Sequence, residues 1–231
     1  MKNLVKMTRA EYTAAVANRT LVCPNVALIT NEARKVEYLY SYATADIGIA
    51  AYEGGVVKYY SVEQWEALDV KPTVMGVYVF FAGRARIIHN DILTATLWAQ
   101  PDIPVPGCFL SRSQAAALLD MEGWVNTAAV NAAYEGGTIT ALGIFAQVNA
   151  KTFADGGKGY LPAAGELDTL VLNQEAINAA RLACGQAAIN FATTIWSSSQ
   201  EVGDRSWRWS STSWTSGVKW QVFIGLVLRA L

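Results

Sequence analysis

The succession of helix and strand signals predicts an α+β fold. Three observations carry it. Residues 44 to about 107 read as short strands with one helix, residues 108 to about 185 as helices, and the chain from Ile189 onward returns to strands. The last of these, Val222 to Leu228, is an apolar run long enough for a buried strand. Helices followed by strands within one unit do not make the alternation of a parallel βαβ sheet.

The elements follow in order. Thr8 with Glu11 three residues on has the form of a capping box, opening a helix up to Asn18. The stretches VALIT and VEYLYSY then form a strand pair around the polar turn Asn31 to Lys35. Residues 1–43 are therefore expected as an N-terminal hairpin module for attachment or oligomerisation. Residues 44–107 are expected as a small β-rich domain. Its hairpins turn at Gly54-Gly55 and at Ala82-Gly83-Arg84, a short helix starts at Ser61, and LTATLWAQ adds a strand. Pro101, Pro104 and Pro106 predict a linker.

Residues 108–231 form the third expected unit. VNTAAVNAAYEGG and TITALGIFAQVNAKTFADGG carry Ala-rich helical patterns stopped by paired glycines. Pro162 precedes a helix with Glu166 and Asp168 near the positive end of its dipole. QEAINAARLA is amphipathic, with Ile177, Ala180 and Leu182 assigned to its inner face and Gly185 as its stop. INFATTIW then begins the strands.

Composition narrows the function. A net charge of −1 lacks the basic face that phosphate binding needs, so no nucleic-acid partner is expected. Hydrophobic content of 52% against 16% charged supplies a core. No apolar run reaches membrane-spanning length and the start has no apolar signal core, so no membrane insertion or signal-peptide export is expected. Cys23, Cys108 and Cys184 have no disulfide or zinc spacing and are expected as reduced thiols. His89 is the only histidine and is expected in a surface turn. There is no phosphate-binding loop, HExxH, EF-hand loop or GxSxG elbow. No catalytic residue, metal site or cofactor is assigned, and the protein is expected not to be an enzyme.

Between Trp196 and Gln221 lie five of the eight Trp and eight Ser, and no Leu, Ile, Met, Phe or Ala. Rigid aromatics, small hydroxyls and Arg make a contact surface better than an aliphatic core. The candidate ligand-binding residues are Asp204, Arg205, Ser206, Trp207, Arg208, Trp209, Ser210, Ser211, Ser213, Trp214, Ser216, Lys219 and Trp220. Strand geometry puts Trp207 and Trp209 on one face and Arg208 on the other. Truncating Trp214 or Arg208 is expected to abolish binding without moving stability.

The run GYLPAAGELDTLVLNQEAINAARLACG, then IWSSSQ, then LVLRAL resembles a known pattern. It looks like the C-type-lectin-like domain of variable proteins made by diversity-generating retroelements. The matching segments are Tyr160-Leu161-Pro162, Ala176-Ile177-Asn178, Trp196-Ser197-Ser198 and the closing Val227 to Leu231. The resemblance covers roughly residues 120–231. Looser matches upstream resemble modules of phage virion proteins. The resemblance implies a C-terminal C-type-lectin-like domain behind a β-rich domain and a hairpin module. It implies Trp196 as framework and roughly Ser199 to Gln221 as the displayed, diversified surface. It further implies a homotrimeric fibre or receptor-binding protein of a phage virion. Such a protein assembles in the host cytoplasm and binds a host surface protein or glycan alongside other virion proteins. The alternative is a structural head-fibre or decoration protein with no receptor of its own. The region has Glu201 and Asp204 but none of the triplets of calcium-dependent lectins, which argues against calcium-dependent sugar binding.

Overall fold

The computed structural model describes residues 46–97, 104–219 and 221–230, together with the backbone of three strands at 4–7, 26–30 and 36–39. Those three strands, β1 (Leu4–Met7), β2 (Val26–Thr30) and β3 (Val36–Leu39), form one sheet. The expected VALIT and VEYLYSY pair is β2 and β3, antiparallel, and β1 joins β2 in parallel. The Thr8–Glu11 helix start and the turn at 31–35 lie outside the described residues.

The described chain from residue 46 is α+β, built on two five-stranded sheets. The first has the order β13-β7-β6-β4-β5, from β4 (Asp46–Glu53), β5 (Val56–Tyr60), β6 (Thr73–Phe81), β7 (Arg84–Ile88) and β13 (Leu228–Ala230). Its hairpins turn where the sequence predicts. Gly54 and Gly55 have φ of 59° and 88°, and Ala82 and Gly83 have 47° and 77°, the left-handed pairs that match strand twist. The second has the order β11-β10-β9-β12-β8, from β8 (Leu93–Thr96), β9 (Thr194–Val202), β10 (Arg205–Ser210), β11 (Ser213–Val218) and β12 (Val222–Gly225). Only the β12–β9 contact in it is parallel.

The expected boundary near residue 107 is overturned by this pairing. β12 pairs with β8 and β13 with β7, so residues 222–230 complete sheets begun before residue 97. Between them Leu226 and Val227 are fully buried and carry the chain from one sheet to the other. Of the expected linker, residues 98–103 lie outside the described residues, and the part from Pro104 is tied to the fold. Val105 is buried, its N–H donating to Gln200 Oε1 at 3.1 Å.

Helix α1 (Val62–Glu66) starts at Ser61, whose hydroxyl accepts from the Gln64 N–H while Gln64 accepts from the Ser61 N–H. α2 (Gln114–Ala117) is a single turn capped by Ser113. α3 (Gly123–Glu135) ends at Gly136-Gly137 as expected. The next helical pattern shrinks to α4 (Ile144–Ala150). Gly143 has φ +53°, and a Cβ there would lie 2.4 Å from the Leu97 carbonyl oxygen, so the backbone crosses β8's end too closely for helix to extend upstream. α5 (Ala164–Leu172) and α6 (Gln174–Ala183) follow as predicted, except that Leu182 is exposed and Arg181 takes its inner place. INFATTIW is strand only from Thr194, because Asn190 and its neighbours fold into a tight turn.

One carboxylate ties these layers together. Glu166 is fully buried; Oε1 accepts from Arg86 Nε at 2.8 Å and from the Tyr160 hydroxyl at 2.9 Å. Its Oε2 accepts the backbone N–H of Ala163 at 3.0 Å and of Gly123 at 3.2 Å. The carboxylate thus caps its own helix, as its position near the helix start predicted, and also joins α3's start to β7. Burial pushes the Glu166 carboxyl up while Arg86 and the N–H donors pull it back. Glu166→Ala would leave Arg86 buried and unpaired. It should lower the unfolding free energy by about 3–5 kcal/mol, read as a shift in the urea midpoint, and the double change Arg86→Met with Glu166→Leu should restore most of it.

Candidate ligand-binding surface

The strand β9 carries the Trp-Ser-Ser segment expected to open the display region. Instead it is the most buried strand of its sheet. Ser197, Ser198, Ser199 and Gln200 have no solvent exposure. Their side chains satisfy backbone that no strand can reach. Ser199 Oγ donates to Asp120 Oδ2 at 2.6 Å and accepts the Ala164 N–H at 2.8 Å. Asn126 Nδ2 reaches both Asp120 and Ser198, and its Oδ1 accepts the Phe109 N–H at 2.8 Å. A hydroxyl-rich strand is thus a polar core, since buried N–H and C=O groups must find partners.

Strand alternation then divides the thirteen candidate residues. On β10 and β11 the registered pairs Trp207↔Ser216 and Trp209↔Trp214 share one face with Arg205. The other face holds Ser206, Arg208 and Ser210 with Gly217, Thr215 and Ser213 opposite them. So Trp207 and Trp209 do share a face, and Arg208 takes the other, but the tryptophan face is the inner one. Trp207 and Trp214 are buried in the main core, with Trp209 packed on it. Their indole N–H groups donate inward, to the Ser111 carbonyl, the Phe191 carbonyl and Asp168 Oδ1 at 2.9, 2.8 and 2.7 Å.

Four candidates are therefore corrected from surface to interior: Ser206, Trp207, Trp214 and Lys219. Lys219 is fully buried; its Nζ donates to Gln200 Oε1 at 3.1 Å and to the Gly203 carbonyl. Trp196 is fully buried as the framework assignment expected. Asp204, Arg205, Arg208, Trp209, Ser210 and Ser216 are half-exposed, and Ser211 and Ser213 are exposed at the β10–β11 turn. Trp220 lies outside the described residues.

The two arginines differ. Arg205 Nε is 3.2 Å from Glu201 and 3.0 Å from Ser216 Oγ. Arg208 reaches no carboxylate among the described residues. Its guanidinium lies 4.6 Å from the Phe223 ring centre and 6.0 Å from that of Trp196, with Nη1 donating to Gln221 at 2.8 Å. Partial burial, with Arg205 nearby, pushes its pKa below the ordinary guanidinium value. The outer face thus gathers Thr194, Arg208, Ser210, Ser213, Thr215 and Phe223. Thr194, Thr215 and Phe223 were not among the candidates; only the register, Thr194 against Ser210 and Thr215 against Arg208, brings them there.

Among the described residues no three of His, Cys, Asp and Glu gather to hold a metal ion. Cys108 and Cys184 are free half-buried thiols, and burial pushes the Cys108 thiol up to about 12. His89 is not a surface turn residue. Its ring meets Phe153 edge-on at 5.0 Å, and Nδ1 accepts the Asp91 N–H at 3.0 Å. Burial lowers its pKa below 6.5, more than Asp91 raises it.

No family model and no curated protein matches the chain. Among solved structures, a fimbrial protein from Bacteroides ovatus aligns with a TM-score of 0.46 and 15% identity over 62% of this chain. The aligned part spans 35% of that protein's length.

Two outcomes follow. Trp214→Ala should destabilise by about 3 kcal/mol or more in urea unfolding, as removal of a buried indole does, whereas Ser213→Ala should stay within about 0.5 kcal/mol. The unfolded chain protonates His89 before the folded one does, so His89 costs stability as pH falls below 6.5. The melting temperature of His89→Gln should accordingly fall less between pH 7 and 5 than that of the parent.

Proposed function

We propose that this chain is a non-enzymatic binding protein whose C-terminal part is a C-type-lectin-like domain of the retroelement-diversified type. On this reading it is displayed as a homotrimer on a phage virion and binds a ligand on the host surface. The observation that carries the proposal is the outer face of β10 and β11. A rigid sheet, packed on tryptophans behind, presents Arg208, with no carboxylate partner among the described residues, beside the solvent-reached hydroxyls of Ser210, Ser213 and Thr215. Exposed polar and cationic side chains on a fixed scaffold are where binding function concentrates. The segments behind the resemblance fall in supporting positions. Tyr160 and Leu161 are buried ahead of α5, and Leu226 to Leu228 close both sheets.

The reading divides the Trp196–Gln221 segment into positions free to vary and positions held by the core. Sequencing this locus across isolates should show substitutions at Arg208, Ser210, Ser213, Thr215 and Gln221, at codons containing adenine in the template. Ser197 to Gln200, Trp207 and Trp214 should stay constant. A neighbouring reverse transcriptase and template repeat are expected beside the gene. Substitutions scattered evenly over the surface would instead favour a structural virion part.

A further inference from the structure

The outer face of β10–β11 also carries information about the kind of ligand. Arg208 is held in place before any ligand arrives. Its guanidinium occupies the space above Gly217, where a Cβ would lie 2.6 Å from Cζ, Nε and Nη1. Phe223 supports the guanidinium from one side, and Gln221 fixes Nη1. Nε is shut off from solvent and has no hydrogen-bond partner. The terminal edge of the guanidinium is what remains to meet a ligand, and a guanidinium edge fits the two oxygens of a carboxylate.

Among the described residues Arg208 has no carboxylate partner, so its terminal edge is an uncompensated cation on this face. Around it stand the hydroxyls of Thr194, Ser210, Ser213 and Thr215, with part of the Phe223 ring open. Ring-and-hydroxyl surfaces suit a ligand that is itself covered in hydroxyls.

We propose that the outer face of β10–β11 binds a carboxylate-bearing saccharide, with the sugar's carboxylate on Arg208 and its hydroxyls on the surrounding Ser and Thr. Gly217 is a positioning residue that keeps the guanidinium flat over the sheet. This inference rests on the reading of the face as a displayed binding surface and names its ligand class. No covalent step is involved.

The test is binding of the full chain to oligogalacturonate, with neutral dextran and poly-glutamate as controls, followed by titration calorimetry. Oligogalacturonate should bind and dextran should not. Arg208→Lys keeps the charge but loses the fork, and should weaken binding by at least about tenfold. Gly217→Ala should do likewise, and Lys58→Ala, a cation on the other sheet, should not. Melting curves separate unfolded variants from folded ones, and Arg208→Lys needs no new space. Retained binding in Arg208→Lys would overturn the inference, as would poly-glutamate binding as tightly as oligogalacturonate. If Arg208→Lys abolishes attachment to host cells while oligogalacturonate neither binds nor competes, the saccharide falls and the displayed surface stands. If attachment survives Arg208→Lys and oligogalacturonate does not bind, both fall.

Discussion

The structure hangs on the buried pairing of Arg86 with Glu166. Taking two charges out of water is expensive, and the cost is recovered only when every lone pair finds a donor. Here it does. Glu166 accepts from β7 through Arg86, from Tyr160, from the first backbone N–H of α3 and from the N–H of Ala163, which caps α5. Tyr160 in turn exchanges backbone hydrogen bonds with Leu228 at 2.7 and 2.8 Å. A single carboxylate therefore ties together two helices, the last strand and β7 of the first sheet. Gly123 is required for it, since a Cβ there would stand 2.5 Å from Glu166 Oε2.

The second sheet depends on that arrangement through a polar core. α5 begins where Glu166 fixes it, and the Ala164 N–H meets Ser199 on β9. The chain Asp120, Asn126, Ser198 and Ser199 then locks β9 against α3 and the 105–111 segment. With β9 held from behind, tryptophans fill the inner face of β10 and β11. On the outer face Ser206 and Gly217 are buried, while Arg208, Ser210, Ser213 and Thr215 reach solvent, with Arg208 stacked on Phe223.

Much of the local structure was legible in the residues themselves. Gly54-Gly55 and Ala82-Gly83 announced their hairpins, Ser61 with Gln64 announced α1, and α5 and α6 followed their caps and periodicity. These are short-range effects, decided by φ preference and by side chains meeting their own backbone. What failed were inferences that needed the neighbour. The prolines near 104 suggested a linker because nothing in the sequence shows Gln200 holding Val105 from 95 residues away. Likewise, composition cannot say which face of a strand is covered. A segment of Trp, Ser and Arg without aliphatics suggested a surface throughout, yet Trp196, Trp207, Trp214 and half of its serines are interior.

By itself the sequence determined the α+β class, the hairpins, the helix starts, and the alternation that sets Arg208 apart from Trp207 and Trp209. The physical reason is that propensity, capping and the period of a strand act over a few residues. Only the tertiary structure decided which side of that alternation faces solvent and that both sheets draw strands from either side of residue 107. It also decided that Ser197 to Gln200 belong inside. Burial depends on what packs against a strand, and here the covering groups come from α5 and the 105–111 segment, far away along the chain.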